Sequence, residues 1–231
     1  MLELLIGNKN YSSWSLRPWV LMRELGIEFD ELLIPFVAPG QPSPFADRSP
    51  TGLVPCLRDG DRTVWESLAI VEYLAEREPR VWPADVSARA WARCAAAEMH
   101  AGFRALRDVC GMNCGIRVEL AEVPPALRKD LQRLDSLWGE GLARFGGPFL
   151  AGAAFSAVDA FFAPVAFRVQ SYQPPLAAAS RLYVDRLLAL PAMRDWYAAA
   201  LREPWRDAAH EAELQRAGRI TQDLRTAAFR A

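Results

Sequence analysis

Residues 53–67 read Leu-Val-Pro-Cys-Leu-Arg-Asp-Gly-Asp-Arg-Thr-Val-Trp-Glu-Ser. Two short segments of strand character, 54–57 and 62–65, lie on either side of Asp59-Gly60-Asp61, which is a tight-turn signature. After them, the apolar residues of 66–77 recur at helical spacing. The stretch therefore predicts two antiparallel strands joined by a hairpin turn and followed by a helix.

The preceding residues predict a strand–helix–strand unit. Residues 2–6 form an apolar run that ends in a turn, and the apolar spacing of 16–25 is helical until Gly26 stops it. Residues 29–35 can form a second strand, and such a crossover is right-handed on the usual rule. A proline-containing loop then leads to the hairpin, so the order is βαβ, loop, ββα.

The remainder of the chain predicts a different architecture. Residues 79–86 are expected to form a linker between an α/β domain at 1–78 and an all-helical domain at 87–231. No strand is expected in the second domain, and Ser156-x-x-Asp159 is a capping-box variant at a helix start. Helices are expected near residues 87–110, 124–145, 156–171, 181–189 and 192–213. The predicted fold class is α/β plus all-α.

Composition narrows the function classes. Hydrophobic residues make up 52% of the 231 residues, charged residues 24%, and the formal net charge is -1, which favours neither nucleic acid nor an anionic membrane as a partner. No run of about twenty apolar residues occurs, and the first residues lack a signal-peptide pattern, so we expect a cytoplasmic protein. The four cysteines and two histidines match no zinc pattern, so we expect free thiols and no metal.

The hydroxyl-rich segment Tyr11-Ser12-Ser13-Trp14-Ser15 lies between a strand end and a helix start. The unpaired N–H groups and positive end of a helix suit an anion. A hydroxyl that donates a hydrogen bond to a thiolate lowers the pKa of that thiol, because only the charged form accepts the bond. The alternative is that one serine simply caps the helix.

The ends of the opening stretch have two interpretations as well. Val54-Pro55 is either an ordinary strand-opening pair or a cis turn whose Val54 backbone is free to pair with a peptide-like ligand. Glu66-Ser67 is either a helix cap or a grip for a zwitterion, with Ser67 at a carboxylate and Glu66 at an ammonium group.

In this order, the serine segment, Val54-Pro55, Glu66-Ser67 and an all-helical second domain resemble the cytosolic glutathione S-transferases. The resemblance spans the whole chain and implies a thioredoxin-like first domain. Within the family, Tyr11 to Arg17 looks closest to the serine-type zeta class, the maleylacetoacetate isomerase-like group. That class has Ser-Ser-Cys where this chain has Ser12-Ser13-Trp14, a departure that places the specialised isomerase chemistry in doubt.

The resemblance implies roles for individual residues. Ser12, or Ser13 as the next choice, would face the glutathione sulfur, and Val54 ahead of a cis Pro55 would pair with the cysteinyl backbone. Glu66 and Ser67 would hold the γ-glutamyl group. The implied glutathione-binding residues are Trp14, Gln41, Val54, Pro55, Glu66 and Ser67, and the candidate second-substrate contacts are Tyr11, Met99, Phe103, Arg107 and Asn113.

The resemblance also implies a reaction and partners. We expect an enzyme that conjugates glutathione, as co-substrate, to a small hydrophobic electrophile, and a homodimer. Glutathione-dependent cis–trans isomerisation, peroxide reduction and a non-catalytic glutathione-binding module stay open as alternatives. Tyr11 is a less favoured alternative to Ser12 and Ser13 as the thiol-activating hydroxyl.

Overall fold

The computed structural model describes residues 1–225. The first part of the chain contains four strands, two helices and a short 3-10 turn. They are β1 (Leu2–Ile6), α1 (Ser13–Leu25), β2 (Asp30–Leu33), β3 (Cys56–Asp59), β4 (Arg62–Trp65), α2 (Ser67–Ala75) and the turn Pro79–Val81. The strand order is β2-β1-β3-β4, with β1 parallel to β2 and antiparallel to β3, and β3 antiparallel to β4. This is the predicted thioredoxin-like βαβ-ββα arrangement, and the fold class is confirmed.

The second part is built mainly from helices. They are α3 (Val86–Ala101), α4 (Arg104–Val109), α5 (Pro125–Phe145), α6 (Ala157–Tyr172), α7 (Ala178–Ala189), α8 (Pro191–Arg202) and α9 (Ala208–Ala217). Two of the predicted helices are each divided. The segment 87–110 breaks at Gly102-Phe103, where Phe103 has a φ of +55°, and 192–213 breaks at Glu203-Pro204. Proline removes a helical donor and disfavours helical geometry in the residue before it, which accounts for the second break.

The expectation that no strand follows residue 86 is wrong. Strands β5 (Ile116–Leu120) and β6 (Gly218–Asp223) form a two-stranded antiparallel sheet beside the helices. In β5 the residues Ile-Arg-Val-Glu-Leu alternate between apolar and polar, which is the period of a half-buried strand. The pairing holds residues 218–223 against a segment about a hundred positions earlier.

Helix α6 occupies the centre of the core. Nearly all of its side chains are buried, and it packs against α1, α3 and α7. The Ser156/Asp159 capping box is present at its start, with Asp159 accepting a hydrogen bond from the Ser156 N–H at 3.0 Å. Asp159 also accepts bonds from the Leu150 N–H at 3.0 Å and the Tyr183 hydroxyl at 2.8 Å. One buried carboxylate thus ties together α6, α7 and the turn before α6.

Three further features bear on the sequence-based expectations. All four cysteines are free thiols. No helix within residues 1–225 is long and apolar enough to cross a membrane. In the same part of the chain, no group of three or more His, Cys, Asp or Glu side chains is placed to hold a metal ion.

Candidate functional site

A cavity of about 330 Å³ lies where the start of α1 meets the helical domain. Its walls come from the serine segment, the loops before β3 and after β2, and helices α4, α6 and α9. The lining residues are Tyr11, Ser12, Ser13, Trp14, Phe36, Phe45, Leu53, Val54, Arg107, Gly111, Met112, Arg168, His210 and Glu213. The cavity therefore combines hydroxyl groups, aromatic rings and charges from both domains.

A second hollow of about 230 Å³ adjoins this cavity on the thioredoxin-like domain. Its lining residues are Trp14, Thr51, Leu53, Val54, Pro55 and Glu66. Three of them, Trp14, Leu53 and Val54, also line the larger cavity. We call the smaller hollow the trough. Because the two spaces share these wall residues, the trough lies next to the cavity that Ser12 and Ser13 line.

Val54 presents free backbone groups at the edge of the sheet. The Val54-Pro55 peptide bond is cis, as the resemblance implies. Strand β3 begins only at Cys56, and neither the N–H nor the C=O of Val54 forms a hydrogen bond within residues 1–225. Such free groups can pair with an extended peptide in β fashion.

The start of α2 combines an unusual backbone with an unpaired hydroxyl. Glu66 has a φ of +69°, in a region that residues other than glycine rarely adopt and that tends to mark functional positions. Its side chain makes no capping hydrogen bond, so the capping interpretation lacks support here. The Ser67 Oγ is buried with no hydrogen-bond partner in the described chain. A buried hydroxyl without a partner is costly, and a ligand oxygen would satisfy it.

Ser12 and Ser13 both line the cavity but have different hydrogen bonds. Ser12 caps α1, accepting from the Ser15 N–H at 3.4 Å, and its hydroxyl donates to Ser15 Oγ at 2.7 Å. Ser15 Oγ in turn accepts from the Gly7 N–H at 3.2 Å. The Ser13 hydroxyl makes no hydrogen bond to another group among residues 1–225. The structure thus places two hydroxyls at the site, one tied to Ser15 and one free.

Tyr11 lines the cavity, but its hydroxyl is engaged elsewhere. It donates to Glu211 at 2.5 Å and accepts from Arg225 at 2.6 Å. Burial, followed by the hydrogen bond to Glu211, raises the pKa of Tyr11 to about 12. Because the Tyr11 proton is already donated to Glu211, it is not free to donate to a thiolate. This argues against Tyr11 as the thiol-activating hydroxyl.

Trp14 lines the trough and also contacts two arginines. Its ring contacts the guanidinium of Arg17 at 4.2 Å and that of Arg107 at 4.6 Å, and the edge of His100 at 5.3 Å. Burial lowers the pKa of Arg107 to about 10, with a smaller contribution from Arg168. Burial, followed by Arg17, also lowers the pKa of His100. Positive charge is thus concentrated behind and beside the Trp14 ring.

Several predicted site residues do not line either space. Met99 is buried in the core, and Phe103 packs edge to face against Phe162. Asn113 is buried and accepts a hydrogen bond from Asn10 at 2.9 Å. The side chains of these three predicted second-substrate contacts serve packing and loop structure in this structure. Gln41 is exposed in its loop, away from both spaces.

Other lining residues were missed by sequence reasoning. Arg168 lies in an apolar run of α6, and a single charge within such a run is itself a signal of a buried charged site. His210 stacks on the rings of Tyr11 at 5.0 Å and Phe36 at 5.6 Å. His210 and Glu213 both lie on α9, which packs near the serine segment. The sequence alone does not predict this long-range packing.

Two of the curated relatives of this chain are named glutathione S-transferases. Over 134 residues the chain is 35% identical to glutathione S-transferase T1 of Arabidopsis thaliana, a match that covers 52% of this chain and 55% of that protein. The match to glutathione S-transferase zeta class of Euphorbia esula is 26% identical and covers 66% of this chain and 70% of that one. The chain thus spans about half the length of the Arabidopsis relative.

Solved structures agree on the fold. A glutathione transferase homolog from Burkholderia GL BGR1, crystallised with bound glutathione, superposes with a TM-score of 0.63 at 23% identity, covering 86% of this chain and 97% of that one. Family models described as the N-terminal and C-terminal domains of glutathione S-transferase match residues 11–77 and 84–199. Because the two models together match most of the chain in the family's order, it belongs to the glutathione S-transferase family.

Proposed function

We propose that this protein is a glutathione S-transferase that uses a serine hydroxyl to stabilise the glutathione thiolate and adds it to a small electrophile. The observation that carries the proposal is that the trough and the larger cavity adjoin and share Trp14, Leu53 and Val54 as wall residues. A tripeptide held along the trough places its central thiol beside the serine segment. The larger cavity is then left for the second substrate. Bringing the two reactants together lowers the entropic part of the barrier.

Glutathione binding would use three groups of the thioredoxin-like domain. The free backbone of Val54 pairs with the cysteinyl residue, and the unpaired Ser67 hydroxyl donates to the γ-glutamyl carboxylate. Glu66, exposed at the rim of the trough, pairs with the γ-glutamyl ammonium group. The Burkholderia homolog binds glutathione on the same fold, which supports the assignment.

Ser12 is the hydroxyl that we place at the sulfur. Hydroxyl protons rotate, so Ser12 can turn its proton to a thiolate while Ser15 turns to donate to Ser12 Oγ, 2.7 Å away. The Gly7 N–H already donates to Ser15 Oγ, and a chain of donors that points toward the thiolate strengthens the final bond. Ser13 lacks this support and is the second choice.

Glutathione affinity tests the trough directly. We expect Ser67→Ala and Glu66→Gln each to weaken glutathione binding about tenfold, since each removes a partner of a charged group. Isothermal titration calorimetry measures this, and Ser87→Ala, an exposed serine on α3, is the matched control with unchanged affinity. Equal glutathione affinity of the wild type and the three variants would contradict the placement of glutathione in the trough.

Isomerisation of a small diketo diacid is the second candidate. It is favoured by the basic side chains Arg107 and Arg168 in the larger cavity, which suit carboxylate groups. The motif difference at Trp14 weighs against it. Turnover of a cis diketo diacid without consumption of glutathione would distinguish isomerisation from conjugation. Glutathione binding without turnover of any electrophile would favour the non-catalytic module.

The assembly and location are also proposals. The family resemblance implies a cytoplasmic homodimer in which the thioredoxin-like domain of one subunit packs against the helical domain of the other. We expect sedimentation equilibrium at micromolar concentration to return twice the 25.7 kDa chain mass. A monomer mass at that concentration would contradict the dimer.

A further inference from the structure

Three arginines from three helices converge on one side of the larger cavity. Arg17 of α1 and Arg168 of α6 are almost fully buried, with 1% and 5% of their surface exposed. Arg17 stacks on Trp14 and on Phe161, whose ring centre is 4.8 Å from the guanidinium carbon. Arg107 of α4 and Arg168 both line the cavity. Burial lowers the pKa of Arg17, and the charges of the other two lower it further.

These arginines lack carboxylate partners. Within residues 1–225 no ion pair involves Arg17, Arg107 or Arg168, and Nε of Arg17 and of Arg168 are buried with no hydrogen-bond partner. Arg107 donates to the carbonyls of Gly102 at 3.0 Å and His100 at 3.2 Å, and Arg168 donates to that of Cys110. Carbonyls satisfy donors but supply no charge. Within residues 1–225, the charge of these arginines is therefore offset only by carboxylates beyond ion-pairing distance, Asp108 and Asp130 near Arg107 and Glu213 near Arg168.

The excess positive charge lies at the larger cavity, the space proposed for the second substrate. Glu213 is the one carboxylate among the described residues that line the larger cavity, against two arginines. Among residues 1–225, no arginine lines the trough, whose charged group is Glu66. Asp108 and Asp130 act on Arg107 from beyond ion-pairing distance. An anion in the larger cavity would thus meet Arg107 and Arg168, neither of which lines the trough.

We propose that the second substrate is an electrophile that carries an anionic group, a carboxylate above all, which Arg107 and Arg168 bind. The inference rests on the proposed function, since it assigns the space left when glutathione occupies the trough. A planar guanidinium matches the two oxygens of a carboxylate. With an aryl chloride of this class, the thiolate forms a carbon–sulfur bond to the ring. Chloride leaves with the electrons of the carbon–chlorine bond, and the thiol proton passes to solvent.

Two matched conjugates test the charge preference without requiring turnover. S-(4-carboxy-2-nitrophenyl)glutathione and its 4-carboxamide differ in charge and are nearly equal in size. By calorimetry, we expect the carboxylate conjugate to bind wild-type protein about tenfold more tightly than the carboxamide. Arg107→Gln should reduce this preference to within about twofold, and Arg107→Lys should retain part of it. Arg104→Gln, an exposed arginine on the same helix, is the matched control and should keep the full preference.

The outcomes separate the inference from the function on which it rests. Equal affinity of wild type for the two conjugates overturns the inference, and this comparison needs no variant to fold. Equal weakening of both conjugates by Arg107→Gln also overturns it, because Arg107 would then act only by capping α3. If glutathione alone binds and the conjugates show no preference, the inference fails and the function stands. If glutathione does not bind, the proposed function fails.

Discussion

Ser12→Ala is expected to raise the pKa of enzyme-bound glutathione by about two units and to lower the conjugation rate near neutral pH by about 100-fold. The methyl group cannot donate to the thiolate, so the charged form loses a hydrogen bond that the neutral thiol never had. Two pKa units correspond to about 2.7 kcal/mol, which is the size of one charge-assisted bond in a largely dehydrated site. Titration of the thiolate absorbance of the complex measures the shift.

The neighbouring serines provide the controls. Ser13→Ala should shift the thiol pKa little, because Ser13 has no supporting donor behind it. Ser15→Ala should raise the pKa by about 0.2–0.6 units, the share of a hydrogen bond attributable to polarisation by its neighbour. If Ser13→Ala produced the larger shift and Ser12→Ala the smaller, the assignment of the two hydroxyls would be reversed. If neither moved the thiol pKa, serine activation would be excluded.

Asp159→Ala is expected to destabilise the protein by about 3–5 kcal/mol. Asp159 accepts hydrogen bonds from the Leu150 N–H, the Ser156 N–H and the Tyr183 hydroxyl, and alanine leaves these buried donors without partners. Urea unfolding followed by tryptophan fluorescence measures the loss. Arg186→Ala, an exposed residue on α7, is a control with a change under about 1 kcal/mol.

Asp159 also predicts a pH dependence of stability. Burial raises its pKa to about 6 in the folded protein, above the ordinary value of 3.8. Between these values the folded state holds a proton that the unfolded state has released, so the free energy of unfolding falls as pH rises from about 4 to about 6. Asp159→Asn should remove this contribution, roughly 3 kcal/mol across that window. An unchanged difference between wild type and Asp159→Asn at pH 4 and pH 7 would contradict it.

Local chemistry explains which parts of the fold could be predicted. The turn at Asp59-Gly60-Asp61, the helix end at Gly26 and the capping box at Ser156 depend on residues a few positions apart, and each lies where the sequence predicts it. Strand β5 was missed because its partner β6 is about a hundred residues away. Pairing at that separation leaves only a short alternation of apolar and polar residues in either strand.

The candidate site likewise has a part that depends on residues close in sequence and a part that depends on long-range packing. The serine segment, Val54-Pro55 and Glu66 lie within one domain, and their order led, through the family resemblance, to the expectation of one binding site; the structure places them along two adjoining spaces. The wall formed by Arg168 and Glu213 depends on how α6 and α9 pack against α1, which spacing along the chain does not encode. The burial of Met99 and Phe103 away from the cavity could not be read from the sequence, since a shared helical face does not reveal which neighbour covers it.

The return of residues 208–225 to the serine segment has a consequence for the order of assembly. The trough needs only the first 67 residues, which leave the ribosome early and belong to the domain synthesised first. The larger cavity lacks His210 and Glu213 until α9 has emerged, and the bonds of Arg225 to Tyr11 and Glu211 come later still. A nascent chain would therefore complete the trough well before the larger cavity.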